Sequence, residues 1–510
     1  MAQQLQSINL VAPAFKGVNT EDSPIGQDFS FADVADNAVI DKRGRIASRK
    51  GFDVLTTTKT ELGLDSIRAI KEFEDSAGNK IVFSVGNNKI LSGTTTLVDE
   101  TPSDVTINSD NWKMINFNDS IYFFQRGYKP LTYPGTGVNA TKVDELEDLQ
   151  DATTASVVDG ANEGLAAFGR LWCADFNDDK STIYWSDLLI GTQWLSGTSG
   201  SINISKVWPD GYDEIVALAS HNGLLIIFGR HSIVAYQGAE DPATMSLADT
   251  ISGVGCVDRD TLQYTGTDVL FLSHTGLKSF GRTIQEKSMP ISSFSGNVTK
   301  DIIQLIQGES DYFRTVYSPE EGFYLLTFVS QNITYCFDVR GTTENGSYRV
   351  TRWPGTGFTS YTRKDDGTLL IGNSDGISEY DGYTDNGSSF RFKYYSPGLT
   401  FGDPSRLKIL KKLRPTIVGA SNVSIFLKWA YDFESLFNTQ EFTIGGQTNA
   451  YFNESEYTVG EFTPGELTSR RGVNTTGGGG VITIGLEADI NGSSLSLQEI
   501  NVLALMGKVL

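Results

Sequence analysis

Histidine, cysteine and positive charge are all scarce in this chain of 510 residues. The three histidines, His221, His231 and His274, lie apart. None has a spacing such as His-x-x-x-His, and each falls at a hairpin start or turn, so no local zinc motif is present. The three cysteines, Cys173, Cys256 and Cys336, are odd in number and widely separated. Cys173 and Cys336 sit inside apolar runs, so buried free thiols are expected rather than a disulfide framework. Lysine and arginine total 41 against 62 aspartates and glutamates, a net charge of −21. That balance disfavours tight general binding to nucleic acid or to an anionic membrane, both of which rely on cationic side chains. No apolar stretch approaches 18 residues, so no membrane-spanning helix is expected. Residues 1–11 lack a basic region followed by an apolar core, so no signal peptide is expected, and the chain reads as made in a cytoplasm and kept soluble. A phosphate-binding Gly-Lys-Ser/Thr loop and a sialidase-type Asp box are also missing.

What the chain has instead is repetition. Every 40 to 54 residues a short apolar run, a tight turn and a second apolar run recur. The units cover 81–91, 121–133, 171–185, 224–236, 269–280, 323–337 and 369–380. Runs rich in β-branched and aromatic residues, bounded by Gly, Asn or Asp, read as paired strands. A supersecondary unit at this period is the signature of a β-propeller, with ordinary hairpins in sandwiches as the other reading. Runs apolar on both faces suit inner strands covered on both sides. The 53 glycines, 29 phenylalanines and 20 tyrosines agree with an all-β chain.

The fold class expected is therefore all-β, a β-propeller-like repeat domain plus a C-terminal β-sandwich or open-sheet domain. Residues 1–60 read as an irregular arm or docking segment with the basic cluster Lys42, Arg43, Arg45, Arg49 and Lys50. Residues 61–390 hold the repeats. Residues 391–510 carry longer, more alternating strands at 390–395, 407–413, 423–429, 441–444, 481–486 and 495–505, with a four-glycine loop at 477–480. One segment, around Val298, Ile302, Ile303, Leu305 and Ile306, roughly fits a helical face, a loop and strand being the other reading.

Candidate chemistry is sparse. Residues 372–376 match Gly-x-Ser-x-Gly around Ser374, but a returning strand follows where the nucleophile elbow needs a helix. Asp175, Asn177 and Asp179 resemble the start of a calcium loop, yet Lys180 and Ser186 stand where glycine and glutamate are needed. Trp172, Trp185 and Trp194 are candidates for sugar stacking, with blade packing as the alternative. Arg406, Lys408, Lys411, Lys412 and Arg414 form a basic run that suits DNA, an acidic neighbour or a solvated strand face. No catalytic, cofactor-binding or metal-binding residue is assigned from the sequence, and the chain is expected not to be an enzyme.

Four stretches carry a family resemblance. They are 15–24 with 36–45 and 49–52, containing Gly17, Asn19, Asn37, Gly44, Arg45, Arg49, Gly51 and Phe52; 183–187 with Trp194; 253–256 with 265–277; and 401–404 leading into 408–413. Together they resemble the tail nozzle proteins of short-tailed bacteriophages, of the tail tubular B and packaged-DNA stabilisation types. The resemblance implies a structural virion protein, assembled in the host cytoplasm and located in the tail. It implies a homo-oligomeric, six-fold ring that retains packaged DNA and opens for ejection. The partners implied are the tail adaptor ring, tail fibres and, transiently, double-stranded DNA, with no membrane insertion by this chain. The alternatives are a propeller-based carbohydrate-binding or depolymerase protein, or another tail hub or fibre-docking component.

Overall fold

The computed structural model of the protein describes residues 5–103, 105–135, 143–145, 157–286, 293–445 and 468–509. Six antiparallel four-stranded blades and one three-stranded sheet close a ring, and this is a β-propeller. Blade 1 runs through Ala69–Glu74, Lys80–Gly86, Lys89–Ser92 and Val98–Asp99. Blade 2 follows with Lys113–Phe117, Ser120–Phe124, Leu131–Pro134 and Asp144–Glu145. Blade 3 is Glu163–Ala167, Arg170–Ala174, Thr182–Trp185 and Gly200–Asn203. Blade 4 is Ile215–His221, Leu224–Gly229, Ser232–Gln237 and Ser246–Ser252. The short sheet, Gln263–Tyr264, Val269–Ser273 and Gly276–Ser279, comes next. Blade 5 is Phe313–Ser318, Phe323–Phe328, Ile333–Thr342 and Tyr348–Pro354. Blade 6 has Ser360–Arg363, Leu369–Asn373 and Gly376–Glu379, and its fourth strand, Asp53–Val54, comes from the N-terminal segment. That pairing fastens the last blade with chain that precedes the first.

The seven hairpins read from the sequence are the second and third strands of the six blades and the short sheet. Their two-sided apolarity has a direct cause. In Leu224–Gly229, Leu225 and Ile227 pack into the core between blades 3 and 4, while Ile226 and Phe228 pack into the core shared with the short sheet. In Ser120–Phe124, Ile121 and Phe123 face blade 1, whereas Tyr122 and Phe124 face blade 3. Side chains alternate across a strand, so a middle strand between two neighbours must be apolar at every position.

Two larger sheets lie beside the ring. A nine-stranded sheet extends blade 5 through Val34–Asp36, Phe390–Tyr395, Ile482–Ile490, Ser424–Tyr431 and Asn438–Thr443. An eight-stranded sheet has the long pair Arg406–Gly419 and Leu495–Val509 at its centre. Leu410, Leu413, Ile500 and Val502 of the second sheet and Ile425, Leu427 and Ile484 of the first share one core, which makes the C-terminal part a β-sandwich. Two α-helices, Phe280–Gln285 and Thr299–Gly308, lie among the described residues. The second covers the segment whose spacing fitted a helical face.

The N-terminal 60 residues differ from the irregular arm expected. Among the described residues they form five short strands that stitch the two parts together. Leu5–Val11 pairs along Leu495–Val509, and Ala38–Ile40 with Ile46–Ser48 joins the same sheet. Val34–Asp36 pairs with Phe390–Tyr395 on one side and touches Arg352 of blade 5 on the other. At this junction Arg49 is 2 % exposed. Its guanidinium donates to both carboxylate oxygens of Asp385 at 2.8 and 2.6 Å, to Asn37 Oδ1 at 2.9 Å and to the Lys50 carbonyl at 2.8 Å. It also lies 4.1 Å from the centre of the Phe390 ring. Every face of the cation is thus occupied, which is what a buried charge requires.

Candidate functional site on the propeller axis

The first strands of successive blades neighbour one another round the axis. Between blades 4 and 5 the place of a first strand is shared with a 3-10 turn, Arg259–Thr261. The turn forms because the side chain of Asp258, in extended backbone, accepts the N–H of Asp260 at 2.7 Å and so caps it. The cap delivers Asp258, Arg259 and Asp260 to the axis as consecutive charged residues.

Beside the turn Arg314, from the first strand of blade 5, donates to Asp260 Oδ2 at 2.9 Å and to the carbonyls of Thr359 and Phe313 at 2.8 and 3.0 Å. Glu163, from the first strand of blade 3, lies 3.6 Å from Lys113 Nζ of blade 2 and accepts the Leu218 N–H of blade 4 at 3.4 Å. Arg259 donates to the Asn111 carbonyl at 2.9 Å, while its Nε stands 3.6 Å from Asp260. These residues fill the ring centre with a mixed-sign cluster contributed by most of the blades. Arg259 divides the remaining space into two cavities of about 330 and 190 Å³.

Burial shapes the ionisation of this cluster. It pushes the Glu163 carboxyl up to about 7 against the pull of Lys113 and Arg259. It likewise lifts Asp258 to about 6, with the Asp260 charge adding to the effect. Burial works in the same sense on Asp260, but Arg259 and Arg314 overcome it and hold that carboxyl low.

A pH dependence follows for Glu163. Its proton is held more tightly in the folded chain than at the ordinary value of 4.5, so folding is favoured below that value. The favour is lost as pH rises to about 7 and does not change further above it. Glu163→Gln does not titrate. Its unfolding temperature relative to wild type should therefore climb between pH 4.5 and 7 and level off above. An offset that is the same at pH 5 and pH 8 would contradict the assignment.

The residues singled out in the sequence fall elsewhere. Ser374 sits in the tight turn between two strands of blade 6, where its carbonyl accepts Lys59 Nζ at 2.8 Å, so it is a hairpin residue and not an elbow. Asp175 is buried and takes Lys180 Nζ and Asn162 Nδ2, both at 2.7 Å, together with Arg126. Asp179 caps the N–H groups of Ser181 and Thr182. These carboxylates are held within the protein, and among the described residues no cluster of three or more His, Cys, Asp or Glu is placed to hold a metal. His231 and His274 stack with ring centres 5.5 Å apart, and His221 contacts Asn222. The cysteines are free and buried. Lys408, expected on the basic strand face, is buried instead and donates to the Gly480 carbonyl at 2.6 Å.

The tryptophans decide one alternative. Trp172, Trp185 and Trp194 are all buried, as are Trp112, Trp208, Trp353 and Trp429, which completes the chain's seven. Trp172 and Trp185 pack on each other at 5.5 Å and spend their indole N–H groups on the Ala167 and Thr198 carbonyls. They are blade packing, and no indole is exposed for stacking against a sugar.

Sequence reasoning missed the axial cluster. Its one signal is the run Asp258, Arg259, Asp260, three charged residues between Cys256 and the apolar strand Val269–Ser273.

No protein-family model and no curated protein matches the chain. Among solved structures, two crystal structures of the extracellular domain of BT4673 from B. thetaiotaomicron are similar at 12 % and 11 % identity, with TM-scores of 0.41 and 0.43. They cover 66 % and 81 % of this chain, which spans 40 % and 58 % of theirs. The Neurospora crassa Pan2 WD40 domain is similar at 8 % identity and a TM-score of 0.38, over 65 % of this chain and 94 % of that domain.

Proposed function

We propose that this β-propeller protein is a structural subunit of the tail nozzle of a short-tailed bacteriophage, assembled as a closed ring that retains packaged DNA and opens for ejection. The observation that carries the reading is where the family-like residues lie. They occupy joints of the fold, as expected of a part whose work is to hold a shape. Gly17 lies against the Val350 backbone and Gly51 against the Thr384 backbone, so closely that a side chain at either would collide. Asn37 bridges Arg49 and the Arg391 carbonyl. In the third stretch, Cys256 N–H donates to the Gly229 carbonyl at 2.8 Å, and Asp268 accepts the N–H groups of Val269 and Gly281. These contacts tie blade 4, the short sheet and the first helix together.

Two physical points support the assembly. The axis of the propeller is occupied by Arg259, Arg314 and Glu163, so a passage for duplex DNA has to be formed between copies of the chain and not through one. A closed ring also leaves no unsatisfied interface. Each copy contributes a charge of −21, which favours sliding over adhesion where that charge faces DNA. The adaptor ring and tail fibres are the remaining partners in this reading. Native mass spectrometry of the purified chain tests it: closed oligomers of a single copy number, six in this reading, are expected, and a monomer at every concentration overturns it. The buried tryptophans remove the stacking argument for a carbohydrate-directed propeller.

A further inference from the structure

The net charge of −21 is not spread evenly along the chain. Residues 391–510 carry 11 lysines and arginines and 11 aspartates and glutamates, so the whole excess of negative charge belongs to residues 1–390. Within the neutral C-terminal part, cations gather on one sheet face.

The long strand Arg406–Gly419 turns Leu410, Leu413 and Ile417 into the sandwich core. Side chains alternate across a strand, so Lys412 and Arg414 point to the opposite face. A bulge between Leu410 and Lys412 leaves Lys411 exposed as well. A fourth cation comes from the neighbouring chain: Arg471 is exposed, and its N–H donates to the Pro415 carbonyl at 3.3 Å, next to Arg414. Lys412 and Arg414 both lean over Gly472, whose missing Cβ leaves room for their stems. None of these four side chains has a hydrogen-bond or ion-pair partner among the described residues. The other cations nearby are spent. Arg406 pairs with Asp403 at 3.1 Å, Arg470 pairs with Glu499 at 3.2 Å, and Lys408 is buried. The face thus holds four unneutralised cations in a protein rich in carboxylates. Like charges gathered on neighbouring strands repel, and an anionic partner relieves that repulsion.

We propose that this cationic face is the surface on which each copy of the chain receives the acidic part, residues 1–390, of the next copy. The inference rests on the ring reading and deepens it. A ring built head to tail needs two different surfaces on every copy, one complementary to the other. The division of charge along the chain supplies both. Copies that each carry −21 repel at long range, so their contact has to pair opposite charges where they touch. Duplex DNA fits the face less well, because affinity for a duplex grows with the number of phosphates neutralised and four cations neutralise few.

Sedimentation velocity of the full chain, over a range of protein and salt concentration, tests this. Wild type is expected to assemble and to come apart as sodium chloride rises from about 0.05 to about 0.5 M, because salt screens exposed charges. Lys411→Glu/Lys412→Glu/Arg414→Glu/Arg471→Glu should weaken the contact by about a hundredfold or more, since like charges then meet across it. If that variant does not fold, Lys411→Glu/Arg471→Glu, changed at exposed positions alone, should still weaken it by about tenfold. Wild type that assembles regardless of salt, with variants that assemble as it does, overturns the proposal and leaves the ring reading intact. Wild type that stays a monomer at every concentration overturns both. Variants that keep assembly but no longer retard a DNA duplex bound by wild type make nucleic acid the occupant. Variants that keep assembly but unfold at lower temperature make the occupant the chain's own carboxylates. Either of these results also overturns the proposal.

Discussion

Replacing Arg49 by alanine is expected to destabilise the protein by ~3–5 kcal/mol, the cost of breaking a buried, hydrogen-bonded ion pair. The size follows from what is left behind. Asp385 loses a two-pronged partner, the Asn37 side chain and the Lys50 carbonyl lose a donor, and the space beneath Phe390 and Trp353 is emptied. Arg49→Lys should fall between alanine and wild type, because one ammonium cannot span both Asp385 oxygens and Asn37 together. Equilibrium unfolding in urea measures the effect. A loss below about 1 kcal/mol, the range of exposed ion pairs, would show that the junction does not depend on this cation.

Gly17→Ala is expected to cost ~2–5 kcal/mol through two separate terms. Gly17 has φ = +80°, a left-handed conformation that costs an L side chain roughly 1–2 kcal/mol. A Cβ there would also run into the backbone of Val350, a central strand residue that cannot swing aside. Overpacking of that kind adds roughly 1–3 kcal/mol. The neighbouring hydrogen bonds, Val18 N–H to the Val350 carbonyl and Ala32 N–H to the Gly17 carbonyl, fix the segment against blade 5 and prevent relief by drift. Loss of protection against amide exchange at Val18 and Ala32 should accompany the drop in unfolding temperature. Unchanged protection at both would place the strain elsewhere.

The middle strands of the propeller were legible because burial on two faces writes a continuous apolar run into the sequence. The first strands were not. Ala69–Glu74 and Glu163–Ala167 turn polar side chains such as Lys71 and Glu163 towards a crowded axis, so neither reads as a buried strand. Several fourth strands are short and polar because they are edges, as in Val98–Asp99 and Gly200–Asn203. The C-terminal strands were readable from their alternation, 390–395 to the residue, whereas Arg406–Gly419 runs further than read because Arg414, Pro415 and Thr416 interrupt its apolar pattern. Residues 1–60 looked irregular because each of their strands is two to seven residues long, and apart from the local pair Ala38–Ile40 with Ile46–Ser48 they find their ladder partners more than 300 residues away, which no local pattern records. The axial cluster was hidden for the same reason. Asp258, Arg259 and Asp260 are adjacent in sequence, but Glu163, Lys113 and Arg314 reach them only through closure of the ring.

The most direct measurement of the proposed nozzle role is an electron-microscopy reconstruction of the purified protein and of any phage particle found to contain it. The account predicts a ring of identical copies at the distal end of the tail, its central passage lined by several chains while each propeller's own axis stays filled by Arg259, Arg314 and Glu163. A monomer with no density on the tail axis, or a ring whose passage runs through the individual propellers, would contradict it.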